Sequence, residues 1–178
     1  MSDKNQPLQS SEYGGMSIEE LATASTVYRA DLLTGKTIVI SGAGTGMGRA
    51  MAFLAARLGA NVVICGRREE KLQEVKDGIK QNVGRDIEYA QVNIRDPENV
   101  ENFITDIFNR HGTINALINS AGGQFSQAAI DFSRKGWLAV IDTNLNGTWW
   151  MMQEAAKKWR ETKQEGNIIN IAAYVERG

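Results

Sequence analysis

Short apolar runs alternate along the chain with longer stretches in which apolar residues recur at helical spacing. Residues 36–41 (KTIVIS) form a β-branched run ended by glycines, and residues 61–65 (NVVIC) form a second. Runs at 87–92, 114–119 and 167–172 read as three further strands. Between the first pairs, residues 47–58 and 69–81 read as amphipathic helices. Pro97 opens another helix, in which Val100, Phe103, Ile104, Ile107 and Phe108 follow the i, i+3, i+4, i+7, i+8 rule. A long helix is expected over residues 134–162, with Ser133 as its N-cap. Strands buried on both faces read as continuous apolar runs, as IVI and VVI do here. Strands alternating with helices of this length predict a doubly wound parallel α/β sheet in three αβα layers. Residues 31–178 are expected to form that domain. Residues 1–30 are expected to be a flexible extension, because residues 1–15 are polar and lack periodicity.

A length of 178 residues fits one domain with a sizeable core. Lys plus Arg is 20 and Asp plus Glu is 21, a net charge of −1. Such a chain lacks the basic field that nucleic acid or an anionic membrane selects, so neither is expected as a partner. No secretory apolar region and no run of membrane-spanning length is present. The single cysteine, Cys65, fits a small buried hydrophobe and a cytoplasmic location. The single histidine, His111, leaves no material for a His-based metal site or a Ser-His-Asp triad. Beside Gly112 at a helix end, its imidazolium would suit the helix dipole.

The glycines are more telling. Residues 41–48 read SGAGTGMG, between the first strand and the next helix. A helix N-terminus offers unpaired N–H groups and a positive dipole end, and glycines let a pyrophosphate approach the backbone. Ser41, Gly42, Gly44, Thr45, Gly46, Met47 and Gly48 are therefore candidate dinucleotide contacts. The spacing departs from G-x-G-x-x-G, because Met47 holds its last position. The alternative is a glycine-rich turn with no ligand. At the end of the second strand, Gly66 stands where an acidic residue would bind a ribose 2′-OH, and Arg67 and Arg68 follow. Gly66 leaves room and Arg67 offers bidentate contacts to a 2′-phosphate, so NADP(H) is expected over NAD. The alternative is a solvated cluster in which the arginines pair with Glu69 and Glu70.

Three further blocks complete a pattern: Asn119-Ser120-Ala121-Gly122, Thr143-Asn144-Leu145-Asn146-Gly147, and Gly166-Asn167-Ile168-Ile169-Asn170-Ile171. With the glycine loop, they resemble the N-x-A-G, N-L-x-G and G-x-I-V-N-I blocks of the short-chain dehydrogenase/reductase family, from about residue 33 onward. The runs NIRD (93–96), NSAGGQF (119–125), KGW (135–137) and DTNLNGTW (142–149) resemble its fatty-acyl branch of trans-2-enoyl-CoA and 2,4-dienoyl-CoA reductases. Citronellol dehydrogenases look similar over the same stretch. The resemblance implies a Rossmann-like fold and an NADP(H)-dependent oxidoreductase, with an acyl-CoA thioester or a terpenoid alcohol as substrate. It implies adenine contacts from Asn93 and Ile94, and ribose and nicotinamide contacts from Asn119, Ala121 and Gly122. It places Gly123, Gln124 and Phe125 near the acyl group. It gives Asn144 a catalytic role, holding a water that links to a catalytic lysine. Asn144 is read as a buried amide on the helix face of Trp137, Val140, Ile141 and Leu145, so it needs partners; a purely structural role is the alternative. Trp149, Trp150, Met151 and Met152 read as core or as a subunit interface, and the resemblance implies a homo-oligomer.

The catalytic centre departs from the family. Ala172 and Ala173 follow the fifth strand where a serine is expected. Residues 174–178 (YVERG) resemble the Tyr-x-Glu-x-Gly segment of mitochondrial-type dienoyl-CoA reductases, which makes Tyr174 the candidate donor to a substrate carbonyl; an ordinary loop tyrosine is the alternative. The lysine that lowers such a tyrosine's pKa is not within residues 1–178. The sheet is accordingly expected to be incomplete at its C-terminal end, and the chain to be a piece of a longer enzyme. A non-catalytic nucleotide-binding unit is the remaining reading.

Overall fold

The computed structural model describes residues 15–124 and 127–172. Five strands, β1 (Thr37–Ser41), β2 (Asn61–Gly66), β3 (Glu88–Gln91), β4 (Ala116–Asn119) and β5 (Asn167–Asn170), form one sheet in the order β3-β2-β1-β4-β5. Every neighbouring pair is parallel. Helices α1 (Ile18–Thr23), α2 (Gly46–Arg57), α3 (Glu69–Val83), α4 (Pro97–His111), α5 (Arg134–Ile141) and α6 (Thr148–Thr162) complete the fold.

Side chains on a strand point alternately to its two faces, and the core divides accordingly. Ile38, Ile40, Val62 and Ile64 pack with Phe53 of α2 and Leu72, Val75 and Ile79 of α3. Val39, Val63 and Leu117 face the other way, onto Val100, Ile104 and Ile107 of α4 and Met151 and Ala155 of α6. The three αβα layers follow from that division. At one edge, β5 pairs only with β4 among the described residues, and Ile168 and Ile169 are exposed.

Local chemistry sets the helix ends. Asp96 accepts hydrogen bonds from the N–H groups of Glu98 and Asn99, Pro97 opens α4, and left-handed Gly112 closes it. Burial and the neighbouring Arg110 guanidinium hold His111 below its ordinary pKa, and its Nε2 lies 3.0 Å from Glu88 Oε1. The ring stands in the last turn of α4, the helix end expected for it. Trp159, at the far end of α6, is buried and donates from Nε1 to the Ile114 carbonyl at 2.7 Å, pinning the helix to the approach to β4.

Two expectations need correction. The helix over 134–162 is divided: residues Asp142–Gly147 form a π-helical stretch between α5 and α6. The extension is not loose throughout. Ser17 and Glu20 form a reciprocal capping box that opens α1, and Leu21 is buried. Ile18 fills the notch left by Gly78 of α3, where an added Cβ would meet it at 3.0 Å. Arg57 donates to the carbonyls of Leu21 and Ala24, and Arg49 to that of Met16. Of the Trp149–Met152 group, Met151 is core, Trp150 packs against it, and Trp149 is half exposed.

Candidate functional site

The order in which strands are added turns at β1, with β2 and β3 on one side and β4 and β5 on the other. In open α/β sheets ligands bind at such a switch point, beyond the carboxyl ends of the strands. A cleft of about 300 Å³ lies there. Gly42, Gly44, Thr45, Gly46, Met47, Arg67, Arg68, Asn93, Ile94, Ala121 and Gly122 all line it, brought together from four strand ends.

The glycine loop is shaped for close approach. Gly42 has φ 68° and donates to the Cys65 carbonyl at 2.8 Å. A Cβ on Gly42 would stand 2.5 Å from Ala121 Cα, so the loop lies directly against the backbone that leaves β4. Gly46 has φ 57° and an added Cβ there would meet nothing, which leaves a bare floor. Helices α1, α4 and α5 carry side-chain caps from Ser17, Asp96 and Ser133. Neither α2 nor α3, which start at the cleft, receives a side-chain cap bond among the described residues. Their first N–H groups and positive dipole ends are left for an anion. A bare glycine floor between uncapped helix ends fits a dinucleotide pyrophosphate.

Cations gather at the same place. Arg67, Arg68, Lys71 and Arg95 line the cleft, with no carboxylate among the lining residues described. The proposed pairing of the arginines with Glu69 and Glu70 does not form: neither guanidinium has an ion pair among the described residues. Asn93 Oδ1 accepts from the Arg95 N–H at 3.3 Å. Ile94 is buried and turned against Gly147, where an added Cβ would meet its side chain at 2.7 Å; only its rim faces the cleft.

Three candidates lie beneath the cleft rather than on it. Ser41 is buried and its Oγ accepts from the N–H groups of Ser120 and Ala121. Gly48 is packed against the Gly42 carbonyl. Asn119 donates from Nδ2 to Asn170 Oδ1 at 2.9 Å, and its buried Oδ1 lacks a partner among the described residues. Asn144 is a further correction. It is exposed, as are Trp137 and Leu145, while Val140 and Ile141 of the same helix face are half-buried. Its amide still finds partners: Oδ1 accepts from Gly123 N at 3.0 Å and Nδ2 donates to Gly123 O at 2.8 Å. This two-point clasp fixes the loop after β4. Tyr174 and Phe125 lie outside the described residues.

Lys71, Arg95 and Thr143 are polar cleft residues that were not among the sequence candidates, as are Ser120 and the apolar Leu72 and Val92. Thr143 is buried; its hydroxyl donates to the Ala139 carbonyl and accepts from Arg95 Nε at 2.5 Å. Lys71 falls in the stretch 69–81 read as an amphipathic helix, and only the fold shows that it stands at the cleft. Arg95 and Thr143 are 48 residues apart and carry no shared sequence signal.

Cys65 is fully buried beneath the site, and burial pushes its thiol up to about 12 from 9.0. We expect no reaction with a disulfide reagent in the folded protein near neutral pH and one equivalent after denaturation. The folded-state pKa is raised, so this contribution to stability is intact below pH 9 and declines as pH rises from 9 toward 12. A pH series of denaturation midpoints checks it.

Comparison with known proteins agrees with this geometry. A probable 2,4-dienoyl-CoA reductase of Bacillus subtilis (strain 168) is 38% identical over 138 residues, covering 78% of this chain and 54% of the relative. The structure of a citronellol catabolism dehydrogenase (AtuB) from Pseudomonas aeruginosa PAO1 superposes with TM-score 0.74 at 33% identity, covering 82% of this chain and 59% of that one. A metagenomic short-chain oxidoreductase in complex with NADP superposes with TM-score 0.74 at 30% identity, over 80% of this chain and 64% of that one. The chain thus spans about half the length of the curated relative it matches. The short chain dehydrogenase family matches residues 36–177, from the start of β1 through the glycine loop to β5 and beyond, and the chain belongs to that family.

Proposed function

We propose that this chain is the dinucleotide-binding part of an NADP(H)-dependent oxidoreductase that reduces the C=C bond of enoyl- or dienoyl-CoA thioesters. The observation that carries the cofactor reading is the cleft itself: four cationic side chains, no carboxylate among the described lining residues, and Gly66 at the end of β2. The Bacillus relative's name supports the substrate class. Bound in the cleft, the dinucleotide supplies the hydride. The chain's own residues bind and orient. The N–H groups at the start of α2 receive the pyrophosphate over the floor at Gly46. Arg67 and Arg68 receive the 2′-phosphate. The Asn144 clasp on Gly123 holds the wall where the nicotinamide and substrate meet. Tyr174 is the proposed hydrogen-bond donor to the thioester carbonyl, where it would stabilise developing negative charge.

The cofactor reading is tested by titrating the protein with NADPH and NADH. NADPH is expected to bind at least about tenfold more tightly, the scale of one added charge-assisted hydrogen bond. Arg67→Ala is expected to weaken NADPH binding about tenfold and to leave NADH unchanged. Equal binding of both dinucleotides by the unmodified protein would sink the reading.

A second substrate reading rests on the likeness to the citronellol catabolism dehydrogenase. Turnover of a terpenoid alcohol, with none of an enoyl- or dienoyl-CoA, would select it.

A further inference from the structure

We propose that Lys71 is a third 2′-phosphate ligand, held in reserve by Glu74. The inference rests on the NADP(H) reading above and extends it to a residue on a different element. Lys71 sits in the first turn of α3, and its backbone N–H donates to the Arg68 carbonyl at 3.2 Å. Its stem overhangs the glycine loop: a Cβ built on Gly44 would stand 3.0 Å from Lys71 Cβ. Lys71 therefore lines the cleft beside Arg67 and Arg68, on the side where Gly66 leaves space.

Its ammonium is engaged elsewhere, bonded to both Glu74 carboxylate oxygens, at 2.8 and 2.9 Å. Glu74 is one turn farther along α3, and both side chains are substantially exposed. An exposed Lys–Glu pair on one helix is a weak tie. A 2′-phosphate carries up to about two negative charges near neutral pH, against one on a carboxylate. The flexible four-carbon stem of lysine lets the ammonium swing from one partner to the other without moving the helix. Arg95 is not available in the same way, because its Nε is bound to Thr143. The exchange makes Glu74 a competitor: it stores the cation while the cleft lacks a 2′-phosphate and so sets how strongly the protein prefers NADP(H) over NAD(H).

Calorimetric titration with 2′,5′-ADP and with 5′-ADP separates the phosphate from the rest of the cofactor and reads binding without turnover. The unmodified protein is expected to favour 2′,5′-ADP by about tenfold or more. Lys71→Gln should lower that preference about three- to tenfold with unchanged 5′-ADP affinity, the unchanged value also showing that the fold is kept. Glu74→Gln should raise 2′,5′-ADP affinity about two- to threefold by releasing the ammonium. A Lys71→Gln protein that keeps the full preference overturns the role of Lys71 and leaves the NADP(H) reading standing. A Glu74→Gln protein with unaltered 2′,5′-ADP affinity overturns the competition. No preference in the unmodified protein overturns the cofactor reading, and this proposal with it.

Discussion

Gly42→Ala is expected to lose dinucleotide affinity by at least about tenfold and to lower the melting temperature by roughly 4–20 °C. Two costs add. The residue holds φ 68°, a region that costs a residue with a Cβ about 1–2 kcal/mol. The new Cβ would also stand 2.5 Å from Ala121 Cα, 2.6 Å from Ala121 N and 2.8 Å from Ser120 C. All three are backbone atoms, so no side chain can turn aside. Overpacking of this kind costs about 1–3 kcal/mol more. The relief it forces drives the glycine loop away from the segment after β4, and those two segments face each other across the cleft. Gly84→Ala separates the two costs, because Gly84 has φ 72° and open space around its Cβ position. If calorimetry and melting show Gly42→Ala no worse than Gly84→Ala, the close approach of the two loops carries no energy.

The second large effect lies away from the cleft. A Cβ on Gly166 would overlap the Trp159 indole, and the indole cannot retreat because its Nε1 is bound to the Ile114 carbonyl at 2.7 Å. Gly166→Ala is therefore expected to expel the ring at a cost of about 3–5 kcal/mol, the scale for losing a buried tryptophan. Denaturation of Gly166→Ala, Trp159→Ala and the double variant tests the cause. Once the indole is gone, Gly166→Ala should cost under about 1 kcal/mol, because sites in contact are not additive. Full additivity would show that the glycine is needed for some other reason.

The strands were legible in the sequence because a parallel sheet buried on both faces writes itself as unbroken apolar runs, and TIVIS and NVVIC are such runs. The glycine loop was legible because Gly42 and Gly46 need a conformation that few other residues take. Other features need contacts that no local pattern carries. The π-helical stretch has helical dihedrals at both its ends, so its composition reads as ordinary helix. Thr143 and Arg95 meet only when the sheet is assembled. The exposure of Asn144 is not legible locally, because an apolar helix face does not say what covers it. Helix α1 had a usable signal, the S-x-x-E box at Ser17–Glu20, which the polarity of the preceding residues outweighed.

The central place of β1 bears on how the chain is made. Its first partner in space, β2, follows within 20 residues (Ser41 to Asn61), but its other edge waits for β4, which ends at Asn119. At about 5–20 residues per second, a ribosome needs roughly 4–16 s to pass from the end of β1 to the end of β4. Throughout that interval one side of the strand has no neighbour to accept its hydrogen bonds, and a row of buried-type residues stands open to other chains. A strand order that puts β1 at the centre therefore leaves its second edge unpaired until the chain has reached Asn119.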